Sequence, residues 1–460
     1  MYDALFLYQE ARVISMLLLM LAVCSFPVET PQYKLEPGLE LNYQATYQIP
    51  ADEKNKQQAR EHHTAWQIYV LKKNPDGSYQ VVLLSQMGTE PNIQHESRRV
   101  DLFPDGRVKQ ESEPLNSFMP LLLPPLAGPG EKEWIMKLPR DSVTSRFTVL
   151  PSTGDKYLFR EERTGGILTI YDAMGTFDYT FDPAQGCITS ITGKRKPCDD
   201  PDHVPYQHSS STNATYTVLL KKRHVHPADR LQQIIRESDL YFTLKDDNLK
   251  NYVSARQKPV EEAKKMMEAM AARWEKAKAD FTIPGYVGQV ENGIKNGKNY
   301  VRWVTQDAQR WSELIGKPVP AWEARDFEGQ TYSSESLKGK VVILDFWYRG
   351  CLWCLRAMPQ VNELASDFKN QPVVIIGVNI DENPEDARLV IRRFKLNYPN
   401  LDFNKVMKQS EKHHPLLTCT FGYPTLLVID PQGKLVDIHA GYSATLREEV
   451  TASIKRAMGK

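Results

Sequence analysis

Residues 340–354 read KVVILDFWYRGCLWC, and this stretch decides the fold of the last third of the chain. The segment Val341–Trp347 is apolar at every position except Asp345. A continuous apolar run of this kind is typical of a strand that is buried on both faces of a sheet. Cys351 and Cys354 follow at the start of a predicted helix. A buried strand that leads directly into a helix predicts an α/β domain.

Strands and helices continue to alternate after the two cysteines. A second apolar run, PVVIIGVNI at residues 372–380, predicts another buried strand. Two further strands flank the turn Pro431-Gln-Gly433 and predict a hairpin before the last helix. The predicted strands are 340–347, 372–380, 425–430 and 435–439, and the predicted helices begin at 351 and cover 385–394, 405–412 and 445–458. This order predicts an α/β sheet of mixed direction within residues 315–460.

The spacing of Cys351 and Cys354 indicates redox chemistry. At the start of a helix the first sulfur lies over backbone N–H groups without intrahelical partners, and these groups and the helix dipole favour a thiolate. Cys351 is therefore the predicted nucleophile, and Cys354, one turn further, can resolve a mixed disulfide. A structural zinc site would need a second cysteine pair. Cys419 with His413 or His414 is the remaining arrangement for copper or zinc, and we predict no metal and no cofactor besides the redox-active disulfide.

This region resembles the thioredoxin family. Its leader is similar to the leading hairpin of exported thioredoxin-like reductases of the TlpA/ResA kind. Five separated markers carry the resemblance: Asp345 six residues before the first cysteine, Pro359 eight residues after it, Tyr423-Pro424-Thr425, Gly441, and the leader IGKPVPAWEARDFEG at residues 315–329. The resemblance covers residues 315–460 and does not extend to residues 1–314.

The resemblance implies a thiol–disulfide oxidoreductase and gives each site residue an expected role. Asp345 would relay the proton of the second cysteine, with a purely structural carboxylate as the alternative. Tyr423 and Pro424 would face the dithiol and shape the substrate groove, and Trp353 is expected to supply aromatic surface there. The implied partners are disulfide-containing exported proteins and a membrane-bound thiol electron donor.

Departures from the family pattern bear on the direction of the reaction. Gly377 stands where cytoplasmic thioredoxins place a buried lysine near the aspartate. Leu352 and Trp353 are apolar, so no basic residue between the cysteines stabilises the thiolate strongly. We therefore predict a reductant rather than a strong oxidant. Arg349 and Arg356 are predicted to be solvated charges near the start of the helix.

Two other functions stay open at this stage. Peroxiredoxin-type antioxidant proteins share the leading hairpin, but they carry a threonine three positions before the peroxidatic cysteine, where this chain has Tyr348. The second alternative is a cell-envelope protein that binds a ligand or partner through its N-terminal part and carries a subsidiary redox domain.

Residues 34–227 alternate apolar and polar positions, as in LELNYQATY at residues 39–47. Turn signals such as Pro75-Asp-Gly77 separate these stretches. The pattern predicts an antiparallel β domain built from hairpins. Cys187 and Cys198 are predicted to form a structural disulfide, with two unpaired thiols as the alternative.

Residues 228–314 change to helical spacing, most clearly at residues 260–274. We interpret them as a helical connector between the β domain and the thioredoxin-like domain. The predicted fold class is therefore a multi-domain α+β protein with an N-terminal antiparallel β domain, a helical connector and a C-terminal thioredoxin-fold α/β domain.

Residues 13–26 (VISMLLLMLAVCSF) form an apolar segment near the N-terminus. It is shorter than the roughly 20 residues of a bilayer span, so residues 1–27 are predicted to be a signal peptide, with an uncleaved N-terminal membrane anchor as the alternative. In either case the protein is expected to be exported, to the periplasm or the outer face of the cytoplasmic membrane. A net charge of +1 does not provide the excess of positive charge that is typical of nucleic-acid-binding proteins. A mean hydropathy of −0.48 excludes a multi-span membrane protein.

Overall fold

The computed structural model describes residues 30–459 except 52–57, 89–92, 110–121, 138–143, 153, 165–174, 196–213 and 410–413. The predicted signal peptide or anchor at residues 1–27 therefore lies outside the described residues. The described chain forms a large antiparallel sheet, a layer of three long helices and a C-terminal α/β domain. The predicted multi-domain α+β class is confirmed.

Ten antiparallel strands form the N-terminal sheet, in the order β4-β3-β2-β1-β10-β9-β8-β7-β6-β5. The strands are β1 (Leu39–Ile49), β2 (Arg60–Lys73), β3 (Tyr79–Met87), β4 (Gln94–Leu102), β5 (Glu133–Lys137), β6 (Thr144–Leu150), β7 (Tyr157–Thr164), β8 (Gly175–Asp182), β9 (Cys187–Arg195) and β10 (Thr215–Val225). Strands β1 and β10 pair at the centre, and β4 and β5 lie at the two edges. Burial along these strands follows the period of two seen in the sequence. In β8, Phe177, Tyr179 and Phe181 are buried, and the residues between them are half-buried.

Three long helices follow the sheet. They are α1 (Ala228–Ala255), α2 (Val260–Ala277) and α3 (Pro284–Leu314). Their apolar faces cover part of the sheet, where Tyr69 of β2 packs with Tyr286 of α3. Gln289 on α3 also donates hydrogen bonds to the carbonyl oxygens of Ser85 (3.3 Å) and Glu96 (2.7 Å). The segment interpreted as a connector is therefore also a layer that packs against the β2–β4 part of the sheet.

In its described residues the C-terminal domain contains a short two-stranded ribbon, a five-stranded sheet, four α-helices and a 3₁₀ helix at Pro415–Cys419. The strands are β11 (Glu323–Arg325), β12 (Thr331–Ser333), β13 (Val341–Trp347), β14 (Val373–Asn379), β15 (Asn400–Asp402), β16 (Thr425–Ile429) and β17 (Leu435–Ala440), and the helices are α4 (Leu352–Asp367), α5 (Pro384–Phe394), α6 (Phe403–Gln409) and α7 (Leu446–Ala457). The sheet order is β15-β14-β13-β16-β17, with β13 parallel to β14 and antiparallel to β16. This is the predicted sheet of mixed direction.

Every residue of β13 is buried, as the apolar run predicts for a central strand. Successive side chains point to opposite faces. Val342 and Leu344 join a cluster that also includes Trp311 and Leu314 at the end of α3. On the other face, Val341 and Ile343 pack against α4 and α7. That second face carries Asp345 towards the helix that begins at the dithiol. None of the helices in the described part of the chain combines the length and the apolarity needed to cross a membrane.

Candidate dithiol active site

Cys351 and Cys354 are joined in a disulfide with an S–S distance of 2.05 Å. Cys351 is the N-cap residue of α4, and the backbone N–H of Cys354 donates a hydrogen bond to its Sγ at 3.1 Å. After reduction the same N–H would stabilise a thiolate on Cys351, because the first amides of a helix have no intrahelical acceptor. Cys351 is 6% exposed and Cys354 is 1% exposed. The geometry therefore favours Cys351 as the sulfur that meets a substrate and Cys354 as the internal one.

Asp345 is a buried carboxyl group on the face of β13 that α4 covers. The hydroxyl of Tyr398 donates a hydrogen bond to its Oδ2 at 3.3 Å, and its Oδ1 has no hydrogen-bond partner among the described residues. Loss of water contact raises the pKa of Asp345 to about 7, and the Tyr398 hydrogen bond opposes this shift. A carboxyl group with this pKa can accept a proton at neutral pH and release it again.

Tyr398 is a partner of Asp345 that the sequence reasoning missed. Gly377 lies directly opposite Asp345 in the pairing of β13 with β14, but no longer side chain could fit there. A Cβ at Gly377 would lie 2.0 Å from Oδ1 of Asn400, which accepts a hydrogen bond from the indole N–H of Trp347 at 3.0 Å. Asn400 thus fills the space beside Gly377, and the neutral hydroxyl of Tyr398 is the group that hydrogen-bonds to Asp345. No local pattern marks Tyr398, which lies 53 residues away along the chain.

The predicted substrate-binding residues lie in two separate places around α4, the helix that begins after Cys351. Tyr423 precedes Pro424 in a cis peptide bond, and its ring meets the ring of Tyr348 edge to face at 5.3 Å. Tyr423 also packs against the cluster that contains both cysteines. Trp353 is 43% exposed and stacks on Tyr442 at 5.7 Å. The structure therefore places Tyr423 next to the cluster that contains both cysteines, and it leaves Trp353 exposed on the surface of α4.

The two arginines predicted to be solvated behave differently. Arg349 is 1% exposed, so the prediction is wrong for this residue. Its guanidinium forms an ion pair with Asp386 at the start of α5, and its backbone N–H donates to Oδ2 of Asp381 at 2.9 Å. Burial raises the pKa of Asp381 to about 6. Arg349 is buried because these carboxylates meet it from α5 and from the loop after β14, and the pairing fixes the turn before Cys351. Arg356 is partly buried and lies over the Trp353 ring at 4.5 Å.

Cys187 and Cys419, the other two cysteines among the described residues, are buried. Burial raises the pKa of the Cys419 thiol and raises the pKa of the Cys187 thiol to about 11. Cys187 is a free cysteine in this structure, while Cys198 lies outside the described residues, so their predicted disulfide stays a prediction. His414 accepts a hydrogen bond through Nδ1 from the backbone N–H of Leu416. Among the described residues no cluster of three or more His, Cys, Asp or Glu side chains is arranged to hold a metal ion.

Comparisons with known proteins match the C-terminal domain. The family model described as "AhpC/TSA family" matches residues 315–438. A thiol-disulfide oxidoreductase ResA of Bacillus cereus is 32% identical over 124 residues, which are 27% of this chain and 68% of that protein. ResA of Halalkalibacterium halodurans is 31% identical over 136 residues, 29% of this chain and 73% of that protein. The thioredoxin domain of a thiol-disulfide oxidoreductase from Bacteroides vulgatus is 28% identical and covers 31% of this chain and 98% of its own, with a TM-score of 0.27.

Proposed function

The C-terminal domain of this chain belongs to the ResA family of thiol-disulfide oxidoreductases, and from that premise we propose that the protein reduces disulfides in exported partner proteins through Cys351 and Cys354. The observation that carries the proposal is the N-cap position of Cys351, whose sulfur accepts the backbone N–H of Cys354. That contact favours a nucleophilic thiolate on Cys351, the more exposed of the two residues.

The proposed reaction has two exchange steps. In the first, the Cys351 thiolate attacks one sulfur of a substrate disulfide, the substrate S–S bond breaks, and a mixed disulfide forms while the released substrate thiolate takes a proton from water. In the second, Cys354 gives its proton to the Asp345 carboxylate and attacks Sγ of Cys351. The S–S bond to the substrate breaks and the second substrate sulfur leaves as a thiolate, which takes up the proton that Asp345 releases, and the protein is left with the Cys351–Cys354 disulfide. Two electrons from an external thiol donor, which we expect to be membrane-bound, restore the dithiol.

The direction of the reaction follows from how weakly the thiolate is stabilised. After reduction, the amide contact and the helix dipole favour a thiolate on Cys351, whereas burial in an apolar cluster disfavours the charge. Leu352 and Trp353 between the cysteines add no positive charge. A dithiol whose thiolate is only modestly stabilised gives up electrons readily, so the protein acts as a reductant.

Two measurements test this function. Equilibration of the full chain with glutathione buffers should give a reduction potential far below the roughly −120 mV of a strong oxidant, and a value near −120 mV would overturn the reductase direction. In addition, a Cys354→Ser variant should accumulate a mixed disulfide with insulin, whereas Cys351→Ser should not. The opposite pattern would reverse the assigned roles of the two cysteines.

An antioxidant peroxidase is the second candidate, because the AhpC/TSA family description also covers such proteins. Position 348, where peroxiredoxins carry a threonine, holds a tyrosine whose ring packs against Tyr423. We therefore expect consumption of hydrogen peroxide by the reduced protein to be slow beside its reduction of insulin. Faster peroxide turnover would favour the peroxidase.

The place of the reaction is part of the proposal. The apolar segment at residues 13–26 supports export to the periplasm or the outer face of the cytoplasmic membrane. Fusing residues 1–40 to a reporter that is active only after export tests this. A reporter that stays inside the cell would contradict the localisation and leave the chemistry of the dithiol untouched.

A further inference from the structure

The helical layer reaches the loop that carries Tyr423 and Pro424. This loop, residues 418–424, is named here the cis-proline loop. Arg310 near the end of α3 donates hydrogen bonds through Nη2 to the carbonyl oxygens of Thr418 (2.6 Å) and Thr420 (2.7 Å). Its guanidinium also lies over the ring of Phe421 at 4.5 Å. One side chain from outside the thioredoxin-like domain thus holds two backbone carbonyls and one ring of this loop.

A second arginine of the helical layer holds the strand beside the cis-proline loop. Arg256, at the C-cap of α1, is buried and donates a hydrogen bond through Nη2 to the carbonyl oxygen of Ala440 at 3.1 Å. Ala440 is paired with Thr425, the residue after Pro424. The next residue, Gly441, donates its N–H to the carbonyl oxygen of Pro424 at 2.8 Å. Arg310 therefore contacts the backbone before the Tyr423–Pro424 bond, and Arg256 contacts the strand that pairs with the residue after it.

The two arginines share one carboxylate. Asp307, one turn before Arg310 on α3, interacts electrostatically with both guanidinium groups and accepts a hydrogen bond from the hydroxyl of Tyr252 at 3.2 Å. The Tyr252 ring in turn lies under Arg256 at 5.1 Å. These contacts restrict the rotamers of the two long side chains, so less conformational entropy is lost when they hold the loop.

Inside the thioredoxin-like domain, the cis-proline loop has its own brace. The Thr425 hydroxyl donates to the carbonyl oxygen of Gly422 at 2.6 Å and accepts the N–H of Phe421 at 3.2 Å. This brace spans residues 421–425 and does not reach the carbonyls of Thr418 and Thr420. On the N-terminal side, the N–H and the hydroxyl of Thr420 donate to the carbonyl oxygen of Leu417 at 3.1 and 2.8 Å. Arg310 adds to this internal brace by holding the carbonyl oxygens of Thr418 and Thr420.

We propose that Arg310 and Arg256 are positioning residues that hold the cis-proline loop in the shape that binds polypeptide substrates, so that the helical layer is part of the substrate-binding apparatus. This inference rests on the proposed disulfide reductase function. Hydrogen bonds from a charged donor to a carbonyl are among the stronger ones in proteins. Removing Arg310 removes two carbonyl contacts and one ring contact of the loop without altering Cys351, Cys354 or Asp345, so it should impair the binding of a polypeptide and spare the exchange chemistry.

The test compares two disulfide substrates with the full chain. Insulin presents a polypeptide to the loop, whereas 5,5′-dithiobis(2-nitrobenzoate) is a small disulfide that needs only the dithiol. Arg310→Ala and Arg256→Ala should each lower kcat/KM for insulin about tenfold, the factor that corresponds to about 1.4 kcal/mol. The loss should be mainly a rise in KM. The rate with the small disulfide should stay close to that of the unsubstituted protein.

The controls separate positioning from general damage. Arg302→Ala removes an exposed arginine from the same helix and should leave both rates unchanged. Arg310→Lys keeps the charge but cannot span two carbonyls and a ring, so it should recover only part of the insulin activity. The positioning role is wrong if Arg310→Ala reduces insulin as well as Arg302→Ala does. It is also wrong if Arg310→Ala and Arg310→Lys both lose activity towards insulin and towards the small disulfide to the same extent. If the unsubstituted protein reduces neither substrate, the proposed function itself fails, and the inference falls with it.

Discussion

Asp345→Asn should make the protein more stable at alkaline pH while it slows the reaction. Burial raises the pKa of Asp345 from 3.8 to about 7 because the carboxylate loses its contact with water, and the hydrogen bond from Tyr398 opposes only part of this shift. A shift of about three pKa units corresponds to about 4 kcal/mol of free energy. The free energy of unfolding is lowered by roughly this amount when the buried Asp345 carboxylate is charged.

The sign follows from proton linkage. The pKa of Asp345 is higher in the folded protein than in the unfolded chain, so the folded state binds the proton more tightly. The free energy of unfolding therefore falls as the pH rises from about 4 to about 7, and the whole cost is present above pH 7. Asparagine does not titrate and avoids this cost. Near pH 8 we expect the free energy of unfolding of Asp345→Asn to be higher than that of the unsubstituted protein by up to about 4 kcal/mol. Near pH 4 the two free energies should be similar.

Urea unfolding of the oxidised proteins at pH 4, 6 and 8, followed by tryptophan fluorescence, measures this difference. Glu328→Gln is the matched control, since it neutralises an exposed carboxylate of the same domain. Its effect on the free energy of unfolding should be small and the same at all three pH values. A difference between Asp345→Asn and the unsubstituted protein that stays constant from pH 4 to pH 8 would refute the raised pKa of Asp345.

The same variant tests the relay role. Loss of a positioned proton acceptor typically slows a step by about 10²–10⁴-fold. We expect the release of substrate from the mixed disulfide to slow by a factor in this range at pH 7 in Asp345→Asn. In the unsubstituted protein that rate should rise with pH up to about 7, as Asp345 becomes ionised. An unchanged release rate in single-turnover kinetics would leave Asp345 as a structural carboxylate only.

Three further predictions concern buried groups. Arg349→Ala leaves Asp386 charged and buried without its guanidinium, so it should cost about 3–5 kcal/mol in urea unfolding, and a loss below about 1 kcal/mol would contradict a structural ion pair. Cys419→Ser should leave insulin reduction nearly unchanged, because the exchange closes with two other cysteines, and a loss beyond about tenfold would contradict this. Cys187 and Cys198 should appear as one disulfide-linked peptide pair in unreduced mass spectrometry, and alkylation of both thiols would rule the disulfide out.

Helix α3 forms although its glycine content gives it a low local helix propensity. Within its 31 residues it contains Gly285, Gly288, Gly293 and Gly297, and each glycine lowers helix propensity by about 1 kcal/mol. The structure gives the reason for two of them. A Cβ at Gly285 would lie 2.0 Å from Oε1 of Gln67, and one at Gly293 would lie 2.8 Å from the Trp274 ring. The glycines let α3 approach the sheet and α2 closely, which a local propensity cannot reveal.

The features that the sequence determined by itself all rest on neighbouring residues. The apolar run of β13 predicts a buried central strand, and the position of Cys351 before α4 predicts a sulfur facing free backbone amides. The period of two in the N-terminal part predicts antiparallel strands. In each case the chemistry is complete within a few residues of chain, so a pattern in the sequence is enough to find it.

Only the tertiary structure decided which groups meet across the chain. Tyr398 is 53 residues from Asp345, Asp386 is 37 residues from Arg349, and Thr418 is 108 residues from Arg310. Whether a charged side chain is solvated or buried depends on the elements that pack over it, and those elements come from distant parts of the chain. Desolvation then sets the pKa of Asp345, and long-range packing alone places the guanidinium of Arg310 beside the cis-proline loop.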